Sequence, residues 1–594
     1  MRDAAIRHAQ RVRVASADER SGPLMETFCR GWGRVAGLFP GPGDLVAVRR
    51  APGRDLLAGL TVAVVALPLA LAFGVASGVG AQAGLVTAVI AGALAAVFGG
   101  SDLQVSGPTG AMTVVLVPVV QRHGTDGVLM VGLLAGLLLV AVAVLRLGRA
   151  AKYLPLPVIE GFTAGIAVVI ALQQVPAALG AAGEGEKVWQ VAAHATVRFL
   201  EHPDADAPAM ALGVAALLLI GARWRPGVPF SLLAVAAATL LAEALPTLDV
   251  ARIGALPNGL PAPSLAFLDA SMLVVLLPSA LAVAALAGLE SLLCASVADG
   301  MTTGQRHDPD RELFGQGLAN LATPLFGGVP ATAAIARTAV NVRAGASSRL
   351  AALTHAVVLA VIVFSAAGLV SHIPLPALAG VLLATCVRMV QVSTLTALAR
   401  STRADAAVLT VTFVVTVAVD LVTAVVIGIG LAVVLALRQV TRSARLEPVP
   451  LPTDETEPET ETGAEAAAEH TRPHPHPRIA VFRLDGPLFF PAAHRLLTRL
   501  SEVQGVQVVV LRMSRVTAID ATGAGVLGEA ITDLEVRGVT VLLSGVKPDH
   551  DHVLDALRIA EHLRRDHLVF PDTRGAIGHA RELLRADRPD PAAH

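Results

Sequence analysis

Two ionisable residues lie inside long apolar stretches. Burying a charge there costs free energy, so we treat each as a candidate functional residue. One is Glu290, in the run Gly288-Leu289-Glu290-Ser291-Leu292-Leu293-Cys294. A carboxylate at membrane depth is costly unless it is paired, hydrated or protonated. Burial favours the neutral acid, so Glu290 could load and release a proton as access to the site alternates. The alternative is a static ion pair with the second residue, Arg337, that serves structure only.

Two short glycine- and proline-rich segments also interrupt the apolar stretches. They read Ser106-Gly107-Pro108-Thr109-Gly110-Ala111 and Gly327-Gly328-Val329-Pro330-Ala331-Thr332, and each is third in order in its half of the chain. A helix that starts in mid-membrane leaves its first amides unpaired and carries partial positive charge there. Two such ends facing each other attract an anion. The alternative is a pair of kinked packing helices.

The predicted anion site therefore comprises the residues at the two helix starts. They are Thr109, Gly110 and Ala111 in the first half, and Ala333 and Ala334 in the second.

Composition indicates what must position these residues. Of 594 residues, 54% are hydrophobic and only 16% are charged, against about 25% charged in soluble domains. Residues 1–54 form an arginine-rich arm, 55–445 are dominated by Ala, Val, Leu and Gly, and 446–594 return to soluble composition. The net charge of -1 gives no indication of a nucleic-acid partner. No nucleophile–base set, cofactor motif or metal-ligand spacing is present, and the cysteines Cys29, Cys294 and Cys386 predict no disulfide.

A membrane-spanning helix needs about 20 apolar residues, and the chain offers about 14 candidate segments, several of them too short to cross alone. They predict an all-α polytopic membrane domain over residues 55–445. The candidates are Leu56–Gly78, Gly84–Phe98, Pro108–Val120, Gly127–Leu145, Val158–Leu172, Pro208–Ile220, Val228–Leu241, Met272–Val297, Phe314–Gly327, Ala331–Val342, Leu350–Leu369, Pro374–Val390, Ala404–Val419 and Leu421–Leu437.

Basic residues recur in alternate connections, which is the pattern of cytoplasmic loops. We therefore expect an even number of segments, both termini in the cytoplasm, and a place in the cell (inner or plasma) membrane in contact with lipid. The basic residues on the predicted inner side are Arg146, Arg149, Lys152, Arg223, Arg225, Arg306, Arg311, Arg343, Arg349, Arg400, Arg403, Arg438, Arg442 and Arg445.

Three motifs, in order, resemble the SulP anion transporters, also called solute carrier family 26. They are Leu67-Pro68-Leu69-Ala70-Leu71-Ala72-Phe73, the Ser-Gly-Pro-Thr-Gly-Ala string, and Arg337-Thr338-Ala339-Val340-Asn341. The resemblance covers roughly residues 55–445 and extends into the C-terminal region. It implies seven-plus-seven inverted repeats, with a core domain of spans 1–4 and 8–11 and a gate domain of spans 5–7 and 12–14. It also implies elevator-like transport and a homodimer.

The resemblance assigns roles to single residues. Arg337 matches the family's arginine near the anion; the alternative is an arginine that snorkels to the cytoplasm. Phe73 matches an aromatic that lines the substrate pocket; the alternative is core or lipid-facing packing. Leu69 stands where many eukaryotic members carry Gln, so one polar contact to the anion is missing.

The resemblance also bears on coupling. Proton-coupled members carry a glutamate at the place of Glu290, whereas sodium-coupled bicarbonate members carry Asp there and Thr one turn later. This chain has Cys294 in the second place, and Ala333 and Ile335 where the sodium site draws on Gly and Thr. A thiol and aliphatic groups are poor sodium ligands, so sodium coupling is disfavoured.

Four further polar residues border the spans. Asp102, Asp299 and Asp420 are interpreted as solvated or interfacial, and the role of Gln104 is left open.

Residues 446–477 are rich in Pro, Glu and Thr and are predicted to be a disordered linker. Its histidines, His470, His474 and His476, could bind a metal, but a solvated tether is favoured.

From residue 478 to 588, short β-rich runs alternate with helical ones, which predicts a small α/β domain. Strands are expected at Ile479–Leu484, Val506–Met513 and Val539–Ser544, and helices at Ala521–Val536 and Asp572–Ala586, with Asp572 as N-cap. The stretch around Asp520 and Thr522 resembles the signature loop of STAS domains, in which a nearby hydroxyl is phosphorylated in anti-sigma-factor antagonists. Thr522 is the regulatory candidate, and helix capping by Asp520 and Thr522 is the favoured alternative.

The resulting prediction is secondary active transport of a small anion, sulfate, a dicarboxylate or bicarbonate, by anion–proton symport with no cofactor. An uncoupled anion channel, a sodium-coupled bicarbonate symporter and a membrane-tethered sensor are the alternatives.

Overall fold

The computed structural model describes residues 37–149, 155–225, 228–257, 259–302, 306–419, 421–443, 445–449, 478–489, 500 and 505–586. The chain divides into two compact units at Gly430–Leu431, and each is described by itself. The predicted turn at Asp420 and the three linker histidines lie outside the described residues.

The first unit is built of helices and two very short strands. In its first half these are α1 (Pro42–Arg50), α2 (Pro52–Ala76), α3 (Ala81–Phe98), β1 (Ser106–Gly107), α4 (Gly110–Val144), α5 (Leu156–Leu179), α6 (Val188–Glu201), α7 (Asp206–Trp224) and α8 (Phe230–Ala244). In the second they are α9 (Leu273–Met301), α10 (Pro309–Ala322), β2 (Thr332–Ala333), α11 (Ile335–Arg343), α12 (Leu350–Ser365), α13 (Ala367–Ser371), α14 (Leu375–Met389), α15 (Val392–Ser401), α16 (Arg403–Ala418) and α17 (Leu421–Ser443), the last of which continues past the division.

Among the described residues, 7 helical stretches are long and apolar enough to cross a membrane. They are Pro52–Ala76, Ala81–Phe98, Gly110–Val144, Leu156–Leu179, Asp206–Trp224, Ala270–Met301 and Leu375–Ser401, and shorter apolar helices lie at Phe230–Ala244, Leu350–Ser365 and Thr423–Gln439. Two predicted segments, Pro108–Val120 and Gly127–Leu145, run together as α4. The helix is kinked between them at Gly124, whose backbone has φ 67° and ψ -168°.

The helices of this unit pack in two groups. In one, α10 and α9 pack on α4, and α12 packs on α2 and α3. In the other, α14 and α16 pack on α5, and α14 also packs on α7. Contacts of α14 and α8 with α2, and of α5 with α4, join the groups. This division matches the core and gate grouping that the resemblance implied.

Small residues permit this packing. A Cβ atom at Gly84 would lie 2.0 Å from the carbonyl oxygen of Ala70, and one at Gly136 would lie 2.7 Å from the amide nitrogen of Leu321. Helices in membranes associate through such close backbone approach. The Ala- and Gly-rich composition is therefore a requirement of the packing.

Three helices of this unit lie where no span was predicted. Helix α1 lies in the arginine-rich arm, α6 lies in a stretch that was interpreted as a loop, and α15 lies between two predicted spans. Each is too short to cross a membrane, and a search for apolar spans therefore misses them. In α6, Ala192 and Ala195 are buried while Trp189 and Leu200 are exposed.

The second unit contains β3 (Arg445–Val449), β4 (Ile479–Leu488), β5 (Val508–Arg512), β6 (Val516–Ile519), α18 (Ala521–Val536), β7 (Thr540–Ser544), α19 (Pro548–Ala556), α20 (Glu561–Arg565), β8 (Val569–Phe570) and α21 (Thr573–Ala586). Its sheet has the order β3-β4-β5-β7-β8, and β6 pairs with β4. The pairing is parallel except between β3 and β4. The predicted α/β architecture is confirmed, and Asp572 accepts the amide of Gly575 at 2.8 Å, as expected of an N-cap.

One linker prediction was wrong. Residues 446–449 belong to β3, which pairs with β4 from Arg445 opposite Asp485 to Val449 opposite Val481. Pro448 and the charge of Glu447 concealed the strand, but an edge strand tolerates a proline and a charged side chain. The remainder, residues 450–477, lies outside the described part of the chain.

Candidate functional site

The two glycine–proline segments meet as a pair of antiparallel strands. Ser106 of β1 lies opposite Ala333 of β2, and Gly107 lies opposite Thr332. The amide of Ala334 donates to the carbonyl of Val105 at 3.1 Å, which extends the pairing. A helix starts directly after each strand, α4 at Gly110 and α11 at Ile335. The antiparallel pairing thus brings the two helix N-termini to one place.

Glycine is required on the β1 side because other groups approach the backbone closely. A Cβ atom at Gly107 would lie 2.5 Å from Nη1 of Arg337, and one at Gly110 would lie 2.2 Å from Cδ1 of Ile170 and 3.1 Å from Cε1 of Phe73. The aromatic ring of Phe73 is thus buried against the first turn of α4. The alternative of a lipid-facing Phe73 is wrong.

Glu290 of α9 reaches the start of the first half-helix. The hydroxyl of Thr109, the N-cap residue of α4, donates to Oε2 of Glu290 at 3.1 Å. Glu290 is half-buried, whereas Thr109 and Ala111 are buried. A carboxylate next to a helix N-terminus is favoured by the helix dipole. The geometry therefore couples the charge of Glu290 to the N-terminus that was predicted to face the anion.

Arg337 lies in the interior with 1% of its surface exposed. Its Nη2 donates to the carbonyl of Pro108 at 3.0 Å, while Nη1 has no hydrogen-bond partner among the described residues. The snorkelling alternative is wrong, because this side chain is enclosed. Arg337 and Glu290, both described, form no ion pair within 4.0 Å, although their charges act on each other at longer range.

The start of α11 is the open part of the site. Ala333 is fully buried, Ala334 is half-buried, Ala336 is exposed, and Ile335 is 41% exposed. The first turn of this helix is therefore reachable from outside the core. Ala336 was not predicted as a site residue, although its place in the first turn after a broken segment is the signal that could have identified it.

The remaining polar candidates are engaged elsewhere. Asp102 is half-buried and pairs with Arg349 at 2.7 Å, and Asp299 pairs with His307 at 2.8 Å. Gln104 is buried and donates to the hydroxyl of Ser291 at 2.8 Å.

Sequence reasoning missed several buried titratable residues in this unit, among them Asp55, Asp310, Glu312 and His355. Glu312 of α10 accepts hydrogen bonds from several donors, and His355 of α12 is enclosed without a partner for either ring nitrogen among the described residues. Glu312 lies in the polar stretch that was interpreted as a cytoplasmic connection. His355 was not considered because it interrupts a predicted span only once.

In the C-terminal unit, Asp520 caps α18 by accepting the amide of Gly523 at 2.6 Å. Thr522 is exposed on the first turn. Asp520 therefore caps the helix, as the alternative interpretation predicted. Phosphorylation of the exposed Thr522 hydroxyl stays a prediction.

Comparison with known proteins adds independent findings. A family model described as the Sulfate permease family matches residues 53–412, and the STAS domain model matches residues 472–576. The chain is 34% identical over 521 residues to a Bacillus subtilis (strain 168) protein named "Putative sulfate transporter YvdB". This match covers 86% of the present chain and 95% of that protein.

Two solved structures are similar as well. The transmembrane domain of a cyanobacterium bicarbonate transporter, BicA, is 35% identical with a TM-score of 0.58, covering 63% of this chain and 98% of that one. The murine Solute Carrier 26 family member A9 anion transporter in the inward-facing state has a TM-score of 0.78 at 17% identity, covering 92% of this chain and 94% of that one. The second likeness, at this identity, establishes the fold alone.

Proposed function

The chain belongs to the sulfate permease family, and we propose that it transports small anions across a membrane in symport with protons. It is a multi-pass membrane protein with a C-terminal STAS domain. The observation that carries the proposal is the meeting of two helix N-termini at the β1–β2 pair, with Glu290 hydrogen-bonded to one of them.

Anion binding is supported by the electrostatics of this meeting point. The first amides of α4 and α11 have no partner within their own helices, and each N-terminus carries a partial positive charge. The guanidinium of Arg337 adds a full positive charge and holds the carbonyl of Pro108, directly before α4. Arg337 therefore acts on the anion through the field and through the placement of α4. The substrate-contacting residues that we propose are Phe73, Thr109, Gly110, Ala111, Ala333 and Ala334.

Proton coupling is supported by the place of Glu290. When ionised, its carboxylate competes with the substrate anion for the positive field of the site. When protonated, it removes that competition and donates or accepts a hydrogen bond with Thr109. Binding of the anion and of the proton thus favour each other, which is the condition for symport.

A sodium-coupled mechanism has less support from the residues in place. The thiol of Cys294 donates to the hydroxyl of Thr338 at 3.1 Å, and Ala333 and Ile335 carry no side-chain oxygen. Sodium prefers oxygen ligands, as other hard cations do.

The names of the relatives mention two anions, sulfate and bicarbonate. We propose that the substrate is one of these or a dicarboxylate. We further propose that the two helix groups move against each other as an elevator, that the protein is a homodimer, and that both termini lie in the cytoplasm beside the cell membrane. The packing of the helices in two groups supports the first of these proposals.

The test is uptake into proteoliposomes that hold the purified protein. Labelled sulfate, bicarbonate and succinate are offered with and without an inward proton gradient, to wild type and to Glu290→Gln. Glu160→Gln is the matched control, since Glu160 is a half-buried glutamate on α5, a helix of the other group.

We expect wild type and the Glu160→Gln control to accumulate one of the anions only when the proton gradient is imposed. In Glu290→Gln, we expect the gradient to have no effect on uptake. Uptake that ignores the gradient in wild type would exclude symport. Large single-channel currents would instead indicate an uncoupled channel, and the absence of any uptake would favour the sensor.

A further inference from the structure

A second buried carboxylate, Glu312 of α10, has 1% of its surface exposed. Its Oε1 accepts one hydrogen bond from the hydroxyl of Ser291 at 2.6 Å and another from Nε2 of Gln316 at 3.2 Å. Its Oε2 accepts the amides of Gly100 at 2.9 Å and Ser101 at 3.2 Å. No cation lies within 4.0 Å of this carboxylate in the part of the chain that the structure describes. Its charge is therefore compensated by hydrogen bonds, which are strong when they reach an ionised group.

The donors to Glu312 come from elements that build the site. Gly100 and Ser101 follow α3, Ser291 belongs to α9, and Gln316 also donates to the hydroxyl of Ser106 in β1. Ser291 in turn accepts Nε2 of Gln104, two residues before Ser106. Glu312 is thus the centre of a network that ties α9 to the segment containing β1.

The network has little room to adjust. A Cβ atom at Gly99 would lie 2.9 Å from Oε2 of Glu312, and one at Gly100 would lie 1.9 Å from the carbonyl oxygen of Asp308. A Cβ atom at Gly315 would lie 2.5 Å from the amide nitrogen of Gly99. The end of α3 and the start of α10 are therefore in backbone contact, and a fixed carboxylate position follows from this packing.

We propose that Glu312 is a positioning residue for proton coupling. Glu290 and Ser291 are adjacent in α9, and adjacent side chains in a helix are separated by a fixed angle of about 100°. Holding Ser291 on Glu312 therefore fixes the direction of Glu290 toward Thr109. The proposal rests on the proposed symport, because proton coupling is its readout.

The effect of Glu312 on Glu290 is indirect. Among the described residues, the charged group that acts on Glu290 is Arg337 of α11, whereas Glu290 and Glu312 both act on the thiol of Cys294, one turn further along α9. Glu312 reaches Glu290 through the hydrogen bond to Ser291.

The experiment measures the coupling ratio, which is uptake with a proton gradient divided by uptake without one, in the same proteoliposomes. The variants are Glu312→Gln, which keeps the shape and removes the charge, and Ser291→Ala, which keeps Glu312 and removes the link. Ser296→Ala is the matched control, because among the described residues the Ser296 hydroxyl donates only to the carbonyl of Leu292, in the same helix. A partly misfolded preparation lowers both uptakes equally and leaves the ratio unchanged.

We expect both network variants to lower the ratio about tenfold, the scale of a lost hydrogen bond to a charged group, while Ser296→Ala stays within twofold of wild type. A wild-type ratio retained by Ser291→Ala would overturn the proposal, even if Glu312→Gln fails to fold. A ratio of one in wild type would instead contradict the symport itself, so the two failures are distinguishable.

Discussion

The hydroxyl of Thr109 donates a hydrogen bond of 3.1 Å to Oε2 of Glu290, and it does so from the N-cap position of the half-helix α4. One contact thus joins the candidate proton carrier to a helix N-terminus that is proposed to bind the anion.

Thr109→Val removes the hydroxyl while keeping the shape of the side chain. Because the N-cap contact to Glu290 is lost, we expect the gradient-stimulated uptake to fall about tenfold, the scale of one hydrogen bond to a charged group. Thr113→Val is the matched control, since the Thr113 hydroxyl donates only to the carbonyl of Gly110 in the part of the chain that the structure describes. Equal uptake by Thr109→Val and wild type would show that the contact has no part in coupling.

Arg337→Lys and Arg337→Met separate charge from placement. Lys keeps the charge but cannot reproduce the planar guanidinium, whereas Met keeps much of the length and loses the charge. If the electrostatic field of Arg337 favours binding of the anion, the apparent KM for the anion rises in both variants, and it rises more in Arg337→Met. Uptake kinetics at a fixed proton gradient measure this, and equal KM values in the two variants would indicate a structural role only.

Gly110→Ala should overpack the first turn of α4, because the new methyl would lie 2.2 Å from Cδ1 of Ile170. We expect a loss of about 1–3 kcal/mol in unfolding free energy, together with reduced uptake. Ile170→Val deletes Cδ1, so the double variant should recover part of both. Thermal unfolding in detergent and uptake are measured on all three variants, and a double variant no better than Gly110→Ala would contradict the steric account.

The arm before the first span is held by Asp44, whose carboxylate bonds Arg311 at 2.7 Å and pairs with Arg349 at 3.2 Å. Burial acts to raise the pKa of Asp44, but hydrogen bonds from Arg311 and Gly41 and the charges of both arginines outweigh it and leave the pKa below its usual range. A lowered folded-state pKa contributes stability above the unfolded value of about 3.9 and loses it as the pH falls through the folded value.

We therefore expect residues 37–50 to stay docked near neutral pH and to loosen below about pH 4. Hydrogen exchange of these amides measures the docking, and Asp44→Asn should weaken the protection at neutral pH and remove its dependence on acid. Protection in Asp44→Asn that still falls with acid as in wild type would assign the effect to another group.

The sequence predicted the elements of the site better than the contacts within it. Glycine and proline marked both helix starts, because a backbone break inside an apolar stretch leaves a local pattern. The enclosure of Arg337 could not be predicted, since it depends on β1 of the other half packing over its guanidinium. Glu312 was missed because its neighbours, Asp310 and Arg311, give the stretch the polarity of a loop; only tertiary packing buries it.

If Glu290 carries a proton together with the anion, entry of the anion must be accompanied by a proton flux that can be measured. A pH-sensitive dye is trapped inside proteoliposomes at equal internal and external pH, and the accumulated anion of wild type is then added outside. We expect wild type to acidify the lumen, and Glu290→Gln to admit the anion without acidification. Acidification by Glu290→Gln at the wild-type rate, or anion entry into wild-type liposomes without acidification, would contradict this expectation.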